Sequence, residues 1–203
     1  MKKLMACALA LMLTPLAALA DFKEGVNYEV INQGEGSAKP TVTEYFSFFC
    51  GHCNTFEKGY VPRLKGELKD ADVVFKQNHV DFIGREMGVA MTKAYAIAIQ
   101  LGVTEKVKPV LFSRIHDEKK APRTPKEIRD VFIATGVNPA DYDKAAESFM
   151  VKTMASQMAR STQNAKLTGV PTFVVNDKYR VNTQSVKSFD ELSELILYLT
   201  QKD

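Results

Sequence analysis

Between residues 41 and 64 the chain changes its periodicity around a pair of cysteines. Thr41 to Phe49 (TVTEYFSFF) is β-branched and aromatic, the pattern of a buried central strand, interrupted by one acid, Glu44. Cys50-Gly51-His52-Cys53 follows at once. Beyond it Phe56, Tyr60 and Leu64 recur at four-residue spacing, as on a helix, with Pro62 placed to kink or shorten it. Val73 to Phe82 then returns to strand texture. Strand, helix, strand is the parallel unit whose sites gather at the carboxyl end of the first strand, and that is where the two cysteines fall.

That position has chemical consequences. Where a strand turns into a helix, unpaired backbone N–H groups and the helix dipole favour negative charge, so the Cys50 thiol is expected below its ordinary pKa. His52 can add positive charge or a hydrogen bond. Cys53 lies one turn deeper on the same helical face, able to close a disulfide yet less reachable from solvent. Cys50 is therefore the expected exchanging sulfur and Cys53 the resolving one. Half a zinc site has the same spacing, but the histidines are His52, His79 and His116, and nothing supplies a second ligand pair. A purely structural disulfide would close a tiny loop and restrain the unfolded chain very little. Redox exchange is the strong reading, with no metal and no cofactor expected.

The ends of the chain suggest a compartment. Lys2 and Lys3, an apolar run from Leu4 to Leu13, Pro15, and the small residues of Ala18-Leu19-Ala20 make a three-part secretory leader, with cleavage expected after Ala20. Residues 1–20 are too short and wrongly flanked for a stable membrane span. Cys7 lies inside the apolar run, which argues against a lipoprotein anchor. Loss of the leader leaves Cys50 and Cys53 as the only cysteines and a net charge of about +1, which points to neither nucleic acid nor an acidic membrane surface. One close pair of cysteines in an oxidising compartment reads as redox chemistry, since small exported scaffolds carry several spaced pairs.

The remainder alternates in texture. Phe22 to Ile31 is compatible with a short edge strand. From about Gly84 to Leu167 almost nothing is strand-like: Met87–Leu101 and Thr104–Ile115 are helical, Thr124-Pro125-Lys126-Glu127 is a capping box, and Asn138-Pro139 opens a pattern from Tyr142 to Leu167 that is one long helix or two. Strands return at Thr172–Val175 and Tyr179–Val181 around the turn signal Asn176-Asp177. Ser188-Phe189-Asp190-Glu191 caps a final amphipathic helix with Leu192, Leu195, Ile196 and Leu199 facing inward. The two α/β parts complete one sheet only if the helical block is an insertion.

Phe46-Ser47-Phe48-Phe49-Cys50-Gly51-His52-Cys53, the late Gly169-Val170-Pro171 and the helical block between them resemble the DsbA family of periplasmic disulfide oxidases. The resemblance spans essentially the whole mature chain. It implies an α/β thioredoxin fold with an inserted all-helical domain: residues 21–83 and 156–203 as the thioredoxin parts, residues 84–155 as the insertion. It also implies that Cys50 is the nucleophilic position, Cys53 its buried partner, Pro171 the cis-proline packed on the disulfide, and Val170 the residue offering its backbone to a peptide. Exported polypeptides with free thiols are the implied substrates, and a quinone-linked membrane protein of the DsbB type the implied reoxidant. Two departures stand out. The dipeptide between the cysteines is Gly51-His52, as in protein disulfide isomerases, in place of the family's Pro-His. Glu44 matches an acid kept beneath the site to tune it, but its lysine counterpart falls at Gln77, with Lys76 one residue off; a one-residue shift sends a strand side chain to the opposite face, which leaves open whether Lys76 meets Glu44.

The function expected is donation of the Cys50–Cys53 disulfide through a mixed disulfide on Cys50. A periplasmic reductase or isomerase on the same fold is the alternative, and a peptide-binding chaperone or metal carrier with incidental cysteines is the remote one. Residues 21–40 are too few for a separate dimerisation domain, so a monomer is expected. His79 reads as structural, the polar run Asp117–Lys120 beside His116 as a solvated loop, and the Met150, Met154, Met158 stripe as core filling.

Overall fold

A computed structural model describes residues 22–34 and 36–202, so the expected leader lies outside the described residues. Among these residues the chain forms five strands and eight helices. The strands are β1 (Tyr28–Val30), β2 (Thr41–Phe46), β3 (Val74–His79), β4 (Thr172–Val175) and β5 (Tyr179–Val181), arranged β1-β5-β4-β2-β3 in a single sheet. β2 runs parallel to β3 and antiparallel to β4, and β5 pairs antiparallel with both β4 and β1. Every residue of β2 is buried, as expected for a central strand covered on both faces.

After β2 come α1 (Gly51–Gly59) and α2 (Val61–Asp70), interrupted at Tyr60. Pro62 has no N–H to offer the carbonyl four residues back, so the helix stops and restarts with proline in its first turn. Phe56, Tyr60, Leu64 and Leu68 line the face that packs on the sheet, opposite Val42 and Phe173.

Five helices lie between β3 and β4: α3 (Glu86–Gln100), α4 (Thr104–His116), α5 (Pro125–Ala134), α6 (Pro139–Glu147) and α7 (Phe149–Asn164). Their ends follow local chemistry. The side chains of Thr124, Asn138 and Ser148 each accept a backbone N–H at the start of α5, α6 and α7. Ser148, in extended conformation, divides the Tyr142–Leu167 pattern into two helices. α7 touches α3 and α6 and also β3, and its end sits against the sheet beside Tyr45 and Val174. Residue 155 therefore lies inside a continuous helix that belongs to both layers.

Asn176 and Asp177 both have positive φ, the conformation these residue types tolerate best, and turn β4 into β5. Ser188 caps α8 (Phe189–Thr200) through the Glu191 N–H. Leu192, Leu195, Ile196 and Leu199 are all buried beneath the sheet, each contributing about 1.5–3 kcal/mol by burial. The second core runs from Phe46 and Phe48 through Tyr95, Leu111 and Phe112 to Phe132, so the helical insertion and the sheet share one apolar interior at the cysteines. Among the described residues no helix is long and apolar enough to cross a membrane.

Candidate active site

The site begins with a helix cap. Cys50 has extended backbone angles and is the N-cap of α1; its sulfur accepts the Cys53 N–H at 3.2 Å, the role a serine or aspartate oxygen plays at other helix starts. Cys50 is half-buried, while Gly51 and His52 are exposed. Cys53, one turn on, is 1% exposed. Both are free thiols. Their proton is unequally shared: the Cys53 S–H donates to the Cys50 sulfur and, with the N–H groups of Cys53 and His52 and the charge of His52, outweighs burial and brings the Cys50 thiol down to about 6. Cys53 is pushed far up by giving that hydrogen bond, by burial, and by the charges of Cys50 and Glu44. One sulfur is thus poised to react and the other to hold its proton.

Across from Cys50 lies the Gly169–Thr172 turn. The Val170–Pro171 peptide bond is cis, and the Cys50 S–H lies 3.3 Å from the Val170 carbonyl. The fold therefore brings Val170 and Pro171, far apart in sequence from the cysteines, to the same rim.

The segment leading into Cys50 is gripped by two histidines. The Phe48 N–H donates to His79 Nε2 at 3.1 Å, and the Phe48 carbonyl lies 2.8 Å from His116 Nε2. His79 accepts at Nε2, so its proton sits on Nδ1, 2.8 Å from the Thr92 hydroxyl, which in turn donates to Gly88. Complete burial pushes His79 down to about 3, so it is a neutral clamp and not an acid–base group. Asp117–Lys120 is the exposed loop expected, but His116 just before it is the last residue of α4, half-buried, and reaches the active-site turn, a contact the sequence did not suggest. The polar residues after it conceal that contact in the sequence. Gly84 is required nearby, since its φ is +95° and a Cβ there would stand 2.6 Å from the Phe49 ring.

Beneath Cys53 lies a buried polar floor. Glu44 is 1% exposed and in register with Gln77, whose amide donates to the Glu44 carboxylate at 2.7 Å and to Glu57 at 3.1 Å. The Gln77 carbonyl accepts from Lys108 Nζ at 2.7 Å, and Lys108 also pairs with Glu57 at 2.7 Å. Burial, reinforced by the Glu57 charge and opposed by the Gln77 hydrogen bond and the charges of Lys108 and Lys65, pushes Glu44 up to about 7. Lys76 stands opposite Thr43, exposed, and does not meet Glu44. The cation comes instead from α4. Lys108 and Glu57 were not singled out by sequence reasoning, although one signal was available: Lys108 falls in line with Leu111, Phe112 and Ile115, on the apolar stripe of its helix.

The methionine stripe is divided: Met158 is buried, Met154 packs at the core margin and Met150 is exposed, while Val151 beside it takes the inward position in the first turn of α7. Among the described residues no three His, Cys, Asp or Glu side chains gather as a metal site.

A half-exposed thiol near neutrality, set against a shielded thiol that carries its proton, is built to exchange disulfides. Fold and site together define a thiol:disulfide oxidoreductase of thioredoxin fold with an inserted helical domain. Comparison narrows the class: residues 41–195 match the model of the DSBA-like thioredoxin domain, and the chain belongs to that family. It is 37% identical over 187 residues to the thiol:disulfide interchange protein DsbA of Dickeya dadantii, covering 92% of this chain and 89% of that protein. It is 33% identical over 210 residues to the Escherichia coli protein of the same description, across the full length of both. Among solved structures, Pseudomonas aeruginosa DsbA superposes with a TM-score of 0.78 at 29% identity, covering 90% of this chain and 94% of that one. A Proteus mirabilis DsbA variant with a non-covalently bound peptide, PWATCDS, gives 0.76 at 32% identity, covering 90% and 98%.

Proposed function

We propose that this oxidoreductase works as a disulfide donor to newly exported polypeptides. A substrate thiolate attacks Cys50 of the oxidised enzyme, the Cys50–Cys53 bond breaks, and Cys53 leaves and takes up a proton. A second substrate thiolate then attacks the substrate sulfur of the mixed disulfide, which leaves the substrate oxidised and Cys50 as a thiolate. The observation that carries this direction is the place of the Cys50 sulfur as the N-cap of α1, where it accepts the Cys53 N–H at 3.2 Å; the Cys53 thiol and the first N–H groups of the helix bring the Cys50 thiol down to about 6. Whatever stabilises the reduced thiolate makes the disulfide a stronger oxidant, an effect for which DsbA itself is the familiar case.

In this reading Cys50 is the exchanging sulfur and Cys53 the resolving one, Gly51 and His52 tune the first helical turn, and Glu44 exchanges a proton with Cys53 from below. Val170 and Pro171 receive the substrate backbone beside Cys50, the Val170 carbonyl lying 3.3 Å from the Cys50 sulfur; that the Proteus mirabilis relative binds a peptide supports a polypeptide substrate. Residues 84–155 act as the inserted helical domain between thioredoxin parts 21–83 and 156–203. The leader-like residues 1–20 direct the chain to the periplasm, where it acts as a monomer and is reoxidised by a quinone-linked membrane protein of the DsbB type.

The test is the equilibrium of the Cys50–Cys53 disulfide against a glutathione series, read by thiol alkylation and mass shift, since the chain has no tryptophan. A potential at the oxidising end of the range for such proteins is expected. A potential near that of thioredoxin would overturn the donor reading in favour of a reductase or isomerase, the direction that the Gly51-His52 dipeptide favours.

A further inference from the structure

Lys108 is the least expected residue in the interior. Its side chain is 1% exposed, on a helix whose neighbouring inward positions, Val107, Leu111 and Phe112, are apolar and pack the core. A buried ion pair is a poor source of stability, because removing two charges from water offsets their attraction, and apolar residues of similar volume serve a core as well or better. Its partners point to another role. One is Glu57, four residues and so about one turn beyond Cys53 on α1; the other is Gln77, whose amide bridges the carboxylates of Glu57 and Glu44. A glutamine in that place can pass on polarity but cannot supply charge, and the lysine behind it does.

The seam around Lys108 has the same character. Glu105 at the start of α4 pairs with Lys65 on α2, His116 at its end meets the Phe48 carbonyl, and Asp117 pairs with Lys58 on α1. The helical insertion is therefore joined along one helix to the elements that carry the cysteines, and the Lys108–Glu57 pair is a buried ionic contact within that seam.

We propose that Lys108 is a positioning residue for the thiol chemistry: from the helical insertion, and through Gln77, it sets the charge that Glu44 carries beneath Cys53. The proposal rests on the exchange mechanism above, in which Glu44 gives a proton to Cys53 as the Cys50–Cys53 bond breaks and recovers it when the bond re-forms. The ionisable groups bearing on Glu44 are Cys53 and Glu57 on α1, Tyr60 at the α1–α2 break, Lys65 on α2, Tyr95 on α3 and Lys108 on α4. Of these, Lys65 and Lys108 are the cations, and Lys108 is the one that is buried and hydrogen-bonded to the bridging amide. With Lys108 in place the floor retains an ionisable acid near neutral pH; without it, burial and Glu57 hold Glu44 protonated to higher pH.

The test is the carboxyl carbon titration of Glu44 in the reduced protein, followed by NMR, together with the pH profile of exchange with glutathione. In Lys108→Met the Glu44 midpoint should rise by about one unit, and the inflection of the exchange profile with it. Moving the cation to the adjacent strand, in Gln77→Lys with Lys108→Met, should return both to the wild-type position; a residue that merely fills space would not be rescued in this way. An unmoved Glu44 midpoint in Lys108→Met overturns the proposal. Should that single variant not fold, the double variant decides: a folded protein with a wild-type midpoint supports the proposal, and a raised midpoint or failure to fold overturns it. Wild-type protein that exchanges no disulfide at all would sink the mechanism itself, a result distinct from exchange with an unmoved midpoint.

Discussion

At the rim of the redox centre, Cys50, Gly51 and His52 come from one short stretch, joined by Val170 and Pro171 from a single turn. At its floor, Glu44, Glu57, Gln77 and Lys108 come from four separate elements, β2, α1, β3 and α4. The rim is shaped by backbone geometry: a helix start aims N–H groups at one sulfur and leaves it half-exposed. The floor is shaped by burial, which makes each charge depend on its neighbours. The contrast teaches a division of labour. Under the proposed mechanism the rim selects the sulfur that reacts, and the floor governs how the shielded sulfur handles its proton. Changes at the rim should alter the chemistry at little cost to stability, and changes at the floor should appear as pH dependence.

The largest effect should come from separating the two sulfurs. Cys53→Ser is expected to accumulate a mixed disulfide with a cysteine-containing peptide, visible as a mass increase, whereas Cys50→Ser should form none and lose all exchange. Thiolate absorbance of the reduced wild type should titrate near pH 6, from Cys50 alone. A stable adduct on Cys53 in the Cys50→Ser protein would break the assignment of roles.

At the floor, Glu44→Gln should alter the dependence of stability on pH. In the reduced fold Glu44 keeps its proton up to about pH 7, against 4.5 for the ordinary group, so the folded state binds the extra proton across that window. Stability therefore falls as pH rises from about 4.5 to 7, by about 3 kcal/mol in total. Urea unfolding should show that decline in wild type and its absence in Glu44→Gln; parallel curves would mean that the floor does not hold an abnormal acid.

His79, between rim and floor, has the opposite sign. Its folded pKa of about 3 lies below the ordinary 6.5, so the unfolded chain binds the extra proton and stability is lost as pH falls from 6.5 toward 3. At pH 4.5 the loss is about 2–3 kcal/mol, and His79→Gln, which can still accept the Phe48 N–H, should lack it. The smallest effect is expected at Gly51. It has an ordinary φ and open space where a Cβ would go, and it is the first helical residue, a position that suits proline. Gly51→Pro should fold normally, hold the N–H groups of His52 and Cys53 more firmly on Cys50, and lower its pKa by less than about one unit. A raised pKa would show that flexibility in this turn helps the thiolate.

Much of the molecule could be read from the chain. The capping residues Thr124, Asn138 and Ser188 mark helix starts because the bonds they make reach only two or three residues ahead, whereas the cap at Ser148, within an otherwise continuous helical pattern, emerged only in the structure. The break at Pro62 and the turn at Asn176-Asp177 are equally local. Val170 and Pro171 were located through resemblance and not through any pattern around them. Two histidines came out differently: His79, on a strand, was legible as structural, whereas the charged residues after His116 concealed its contact with Phe48.

By itself, then, the sequence determined the cysteine pair at a helix start, with one sulfur more exposed than the other, the strand-helix-strand frame and the helical block, since helix caps, turns and the three-residue spacing of the cysteines act within a few residues. Only the tertiary structure decided what lies under Cys53. Strand register set Gln77, not Lys76, opposite Glu44, and the packing of α4 on α1 placed Lys108 behind it. A charge acts through space and not along the chain, so its partner is known only when distant surfaces meet.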